Sequence, residues 1–171
     1  MLLVKEREEL VAYGKKLITS GLTTGSGGNI SIYNRDEGLI AITPSGMDYF
    51  ETEMDDILIV NIEGDVVEGK HKPSSEIGMH LAFYKKRPDA NAVVHTHSLF
   101  ATAIACMGWT LKPVHYMVAM AGFEVPCAEY AVYGSMELAH NAVKAMGDRN
   151  AVLLANHGLL ALGSDVQSAF S

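Results

Sequence analysis

Cysteine is scarce in this chain. Its 171 residues contain two, Cys106 and Cys127, with no CxxC spacing. A disulfide framework is excluded, and the expectation is two buried thiols in a reducing compartment. Clustered positive charge is also missing. The net charge is −7, and the only basic run is Lys85-Lys86-Arg87. A nucleic-acid partner, whose binding needs phosphate neutralisation, is therefore excluded, whereas a small anionic substrate held by backbone N–H groups is not. Long hydrophobic runs are absent as well. The stretch Leu99 to Leu111 is too short to cross a bilayer and is broken by Thr102 and Gly108. Lys5, Glu6 and Arg7 leave no room for the apolar core of a signal peptide, so the sequence reads as cytoplasmic, with no membrane partner. No repeat, low-complexity tract or linker interrupts it. One α/β domain over residues 1–171 is the expectation.

What is present is well patterned. Leu3, Leu10 and Leu17 recur at seven-residue steps, as do Val4, Val11 and Ile18, and predict a first helix capped near Gly21. The loop Thr24-Gly25-Ser26-Gly27-Gly28-Asn29 follows. Two hairpins are predicted next: Ile30–Ile32 with Leu39–Thr43, and Ile57–Ile62 with Val66-Val67. Pro73-Ser74-Ser75-Glu76 reads as a helix start with serine caps, Glu76 in the first turn and an end at Arg87 before Pro88. Then come a strand over Ala92–His97, a helix over Leu99–Met107, a short strand over Glu124–Ala128 and a helix over Met136–Met146. A buried strand over Ala151–Leu154 is interrupted by Asn156-His157-Gly158 before Leu159–Leu162, and Ser164-Asp165-Val166-Gln167 begins a last helix.

Chemistry concentrates at a few positions. On a strand, His95 and His97 share one face, so both imidazoles can meet one ion, a geometry suited to Zn²⁺. The plain alternative is two polar residues at a strand end. His157 sits where a buried strand breaks, which favours a functional role over a hydrogen-bonded turn histidine. Glu76 either complements the helix dipole or does chemistry. His80, one turn later, either backs Glu76 or faces solvent, while His71, His115 and His140 read as ordinary. The N–H groups and hydroxyls of Ser74-Ser75, of Gly25–Asn29 and of Thr43-Pro44-Ser45-Gly46 are three candidate anion-binding segments.

In order, Gly28-Asn29-Ile30-Ser31, Thr43-Pro44-Ser45-Gly46, Pro73-Ser74-Ser75-Glu76, His95-Thr96-His97 and Asn156-His157-Gly158 resemble the class II aldolase/adducin-head family. Within it they are most similar to the L-fuculose-1-phosphate aldolases. The likeness runs from the first helix to the chain end, including the stretches Arg87–Val94 and His115-Tyr116-Met117. It implies a three-layer α/β/α fold with a mostly antiparallel central sheet, and a homotetramer with active sites at subunit interfaces. It implies that His95, His97 and His157 bind zinc, with Glu76 as fourth ligand and then acid/base. The same ligands would accept Mn²⁺ or Co²⁺. It further implies a phosphate site among Asn29, Ser45, Gly46, Ser74 and Ser75. Tyr116 from a neighbouring subunit would serve the aldehyde oxygen, and Tyr133 would line the pocket.

The implied reaction cleaves a ketose 1-phosphate, L-fuculose 1-phosphate in that branch, to dihydroxyacetone phosphate and L-lactaldehyde through a metal-stabilised enediolate. Relatives continue for several helical turns beyond the point matching Ser171, so either a C-terminal helical end is missing or this member is short. Three other readings attach to the same fold. An L-ribulose-5-phosphate 4-epimerase would carry aspartate at Glu76, and a methylthioribulose-1-phosphate dehydratase would keep the glutamate. An adducin-like structural module would lack the histidines.

Overall fold

Alternating apolar residues build one sheet, and helices with apolar stripes close both of its faces. The computed structural model describes residues 1–171. The strands are β1 (Asn29–Asn34), β2 (Leu39–Ile42), β3 (Leu58–Asn61), β4 (Val66–Glu68), β5 (Ala92–Thr96), β6 (Cys127–Ala128), β7 (Ala151–Leu154) and β8 (Gly158–Gly163). They form a single sheet in the order β4-β3-β2-β1-β5-β8-β7-β6. Every pairing is antiparallel except that of β6 with β7, so the sheet is mostly antiparallel, as expected.

Period-two patterning sends Ile40, Ile42, Leu58, Val60, Val93, Val152 and Leu154 to one face. There they pack with Met79 and Phe83 of α2 (Ile77–Lys86) and with Leu138, Ala142 and Met146 of α5 (Met136–Met146). The other face carries Ile30, Ile32, Ala41, Ile59, Ala92 and Val94. Against it lie Leu10 and Leu17 of α1 (Val4–Thr19), both fully buried, and Val166 and Ala169 of α6 (Val166–Phe170). Leu153 on β7 meets Ala105 of α3 (Leu99–Cys106) and Val118 of α4 (Val118–Ala121). The three layers are thus α2/α5, the sheet, and α1/α3/α4/α6. No helix is long and apolar enough to cross a membrane.

The structure corrects several local expectations. Helix α2 begins at Ile77, so Glu76 is its N-cap residue and not part of its first turn. The Ser74 carbonyl accepts from Ile77 N–H and its hydroxyl from Glu76 N–H, making a turn before the helix. Strand β5 ends at Thr96, leaving His97 just beyond it. The break at His157 is a reversal: β7 and β8 pair antiparallel, and Asn156 takes φ 57° in the turn. Strand β6 is two residues long, with Val125 bridging Leu111 instead of extending it. Helix α4 was not foreseen, because its four residues are too few for a periodic pattern. Of the two thiols, Cys106 is exposed and Cys127 half-buried, since Cys106 closes α3 at the surface.

Candidate metal centre

Three loops and one strand end converge at the site. Register brings the first pair together: Asn29 on β1 lies opposite His95 on β5, so both side chains project toward α2. His97 follows two residues on. The β7–β8 turn delivers His157, and its approach depends on Gly158, where any Cβ would strike the Thr96 carbonyl oxygen. Gly28 is as constrained, with φ 71° and a Cβ position 2.6 Å from the His95 carbonyl oxygen. The turn before α2 places Glu76 against these histidines.

The resulting donors are close. His95 Nε2 lies 3.0 Å from His97 Nε2 and 3.2 Å from Glu76 Oε2, and His157 Nε2 lies 3.4 Å from Glu76 Oε1. All four ligand atoms fall within 4.8 Å of one another. A tetrahedral zinc site with ligands at about 2.0–2.1 Å has edges of roughly 3.3 Å, so these separations suit one ion. The protonation pattern agrees. His95 Nδ1–H donates to the Leu159 carbonyl at 2.9 Å, which turns the Nε2 lone pair into the cluster. Glu76 Oε1 is buried without a hydrogen-bond partner. Lone pairs and a carboxylate this close repel unless a cation lies among them. A single proton satisfies only one pair, whereas a metal ion serves all four donors. Glu76, His95, His97 and His157 therefore fit a divalent metal.

The electrostatics keep these groups in their ligating forms. Burial pushes the Glu76 carboxyl up. The His95 hydrogen bond, the nearby His95 and His157 rings and the Asn29 amide outweigh it, holding the carboxyl down to about 2. Burial first, then the neighbouring His95 and His157, lowers His97 to about 4 despite Glu76. Burial and His95 likewise lower His157. At neutral pH the cluster is one carboxylate with neutral imidazoles at His97 and His157.

Beside it opens a cavity of about 440 Å³ whose lining includes Asn29, Ser45, Gly46, Ser74, Ser75 and Tyr133 together with Glu76, His97 and His157. The two serine segments reach it because Ser45 N–H donates to the Lys72 carbonyl at 3.0 Å and Ser74 N–H to that of Thr43 at 3.2 Å. Rich in hydroxyls and next to the α2 N-terminus, this wall can receive an anion. Tyr130 and Val132 also line the cavity and were missed by sequence reasoning, since nothing separates them from an ordinary loop. Tyr116 is not brought here. It is exposed in a separate shallow depression with Val114 and Phe123.

Known proteins are similar to this chain in sequence and fold. The profile of the class II aldolase and adducin N-terminal domain family covers residues 8–171. A 5-deoxy-D-ribulose 1-phosphate aldolase of Bacillus thuringiensis is 57% identical over 171 residues, all of this chain and 80% of that protein. A 5-methylthioribulose-1-phosphate/5-deoxyribulose-1-phosphate aldolase of Rhodospirillum rubrum is 42% identical over 164 residues, 95% of this chain and 73% of the relative. Among solved structures, an L-fuculose 1-phosphate aldolase superposes with a TM-score of 0.97 at 50% identity, covering 99% of this chain and 80% of that one.

Proposed function

The chain belongs to the class II aldolase and adducin N-terminal domain family, and we propose that it is a metal-dependent aldolase acting on ketose 1-phosphates with an apolar far end. The observation that carries this reading is the cluster of Glu76, His95, His97 and His157 opening directly onto a cavity lined by Ser45, Ser74 and Ser75. The same cluster disfavours a structural module, which has no need of three imidazoles around a buried carboxylate. The substrates named for the three relatives share two features: a phosphate on C1 and a terminal carbon without a hydroxyl. L-fuculose 1-phosphate is one such sugar. The higher identity to the deoxyribulose-phosphate enzyme makes 5-deoxyribulose 1-phosphate the better first choice. Its cleavage would release dihydroxyacetone phosphate and acetaldehyde.

His95, His97, His157 and Glu76 would hold the metal, zinc being favoured by three imidazoles and a carboxylate. A divalent cation bound there supplies Lewis acidity toward the substrate's oxygens. Asn29, Ser45, Gly46, Ser74 and Ser75 grip the phosphate, and Tyr133 covers the sugar. Glu76, ionised at neutral pH, removes a proton from the carbon beside the carbonyl in condensation and returns it in cleavage. Tyr116 serves the aldehyde oxygen from an adjacent subunit of a homotetramer. Support for that assembly comes from exposed apolar side chains over one segment: Trp109, Val114, Tyr116, Met117, Met120 and Phe123.

The test assays four sugars in parallel, reading dihydroxyacetone phosphate from the three 1-phosphates and epimerisation from the 5-phosphate. They are 5-deoxy-D-ribulose 1-phosphate, L-fuculose 1-phosphate, methylthioribulose 1-phosphate and L-ribulose 5-phosphate. Cleavage of at least one ketose 1-phosphate is expected, and it should fall roughly 10²–10⁴-fold in Glu76→Gln. Dehydration or epimerisation without any cleavage would overturn the assignment.

A further inference from the structure

Behind the metal cluster the interface between β1 and α2 contains a polar seam of which the proposed reaction uses only Asn29. Asn29 and Ser31, two apart on β1, face His80 and Tyr84, one turn apart on α2. All four are buried: Ser31 and His80 are completely enclosed, with Tyr84 at 2% and Asn29 at 4% exposure. Polar groups so placed must satisfy one another.

The direction of each bond follows from chemistry. Ionised Glu76 only accepts, so Asn29 Nδ2 donates to its Oε2 at 3.0 Å. Asn29 Oδ1 is then the acceptor facing His80 Nε2 at 2.5 Å, and Nε2 carries the proton. No carboxylate touches His80, and complete burial favours the neutral ring. Its Nδ1 therefore accepts from Ser31 Oγ–H at 2.7 Å. The Ser31 oxygen in turn accepts from Tyr84 O–H at 2.7 Å. Every bond in the series donates toward Glu76, an alignment in which each dipole strengthens the next.

We propose that His80 is a positioning residue for Glu76: its Nε2–H captures Asn29 Oδ1 and so turns the Asn29 amide to present Nδ2 to the carboxylate. An asparagine amide is nearly symmetric in shape, and only its neighbours select one orientation. Flipped, Asn29 would set its carbonyl oxygen against Glu76 and its NH₂ against the His80 donor. Held as it is, Asn29 donates to Oε2 and leaves Oε1 without a hydrogen-bond donor, open to a cation or a proton. The inference rests on the reading of Glu76 as the acid/base of the metal centre.

The experiment has two arms on the full chain. Nitrogen-15 NMR of the histidine rings should find His80 neutral with its proton on Nε2 at pH 7. Cleavage at saturating divalent metal should then be compared for His80→Leu and His80→Gln. The leucine variant keeps apolar volume but no donor, and its kcat should fall about 10–100-fold. The glutamine variant keeps an N–H near the Nε2 position and should recover at least about tenfold of that loss, which a packing role alone would not produce. A proton found on Nδ1, or a folded glutamine variant no better than the leucine one, overturns the proposal. Should the parental protein cleave no sugar phosphate while His80 carries its proton on Nε2, the aldolase reading fails and only the orientation of the Asn29 amide is upheld.

Discussion

His80, His97 and His157 are neutral in the fold because burial, reinforced by the crowding of several imidazoles, makes protonation costly. The largest effect is at His80, lowered to about 3 by burial and by His95, with Glu76 opposing. In the unfolded chain the same ring takes a proton near pH 6.5. Between those values the unfolded state binds more protons, so stability rises with pH. The contribution is fully present above about 6.5 and is lost as pH falls toward 3. Chelator-treated protein should therefore lose stability on acidification through this window, by up to about 1.4 kcal/mol per pH unit for each such histidine. Urea titrations at several pH values measure it, and His80→Leu should flatten the curve. An unchanged slope in that variant would mean that His80 is not the neutral group responsible.

Among the elements, the β7–β8 hairpin has the least tolerance. Its turn takes Asn156 into the left-handed region, and Gly158 then pairs with Leu154 while pressed against the Thr96 carbonyl and the His97 ring. The hairpin thereby orders two of the histidines, His97 by contact and His157 by position. Gly158→Ala forces a Cβ into that carbonyl and should cost about 1–3 kcal/mol. Bound metal should drop with it, because His157 can no longer sit within reach of Glu76. Thermal unfolding together with elemental analysis tests both expectations. A variant of parental stability and full metal content would show that the hairpin yields more easily than its packing suggests.

At the scale of the whole molecule, Tyr116 tests the proposed assembly. It is 79% exposed and lines no part of its own chain's cavity, so any role it has in the chemistry is exerted on another copy. Mixing Tyr116→Phe subunits with Glu76→Gln subunits, each inactive alone, should restore a measurable part of the activity. Some shared sites then combine an intact tyrosine with an intact carboxylate. Verified subunit exchange without recovery would place the aldehyde-side group elsewhere.

Much of this was legible before any coordinates. The seven-residue spacing of Leu10 and Leu17, the alternation in β1, β2, β3 and β5, and Pro88 after α2 reflect local backbone physics, which a linear sequence carries in full. His95 and His97 were legible as a pair because only two residues separate them. Ordered motifs also pointed to the family. The partners of those histidines were not legible from spacing, since Glu76 and His157 lie far away in the chain and only the sheet register and the β7–β8 reversal bring them within 4.8 Å. Nor was the position of Glu76 at the N-cap, which depends on a turn made by Ser74. His80 could be read as either backing Glu76 or solvent-facing, because a helix shows its four-residue period but not which side is covered. Packing of α2 on β1 decided that, and with it the direction of every hydrogen bond leading to Glu76. Local periodicity is written residue by residue, whereas convergence on one ion requires contacts that exist only once distant segments have folded together.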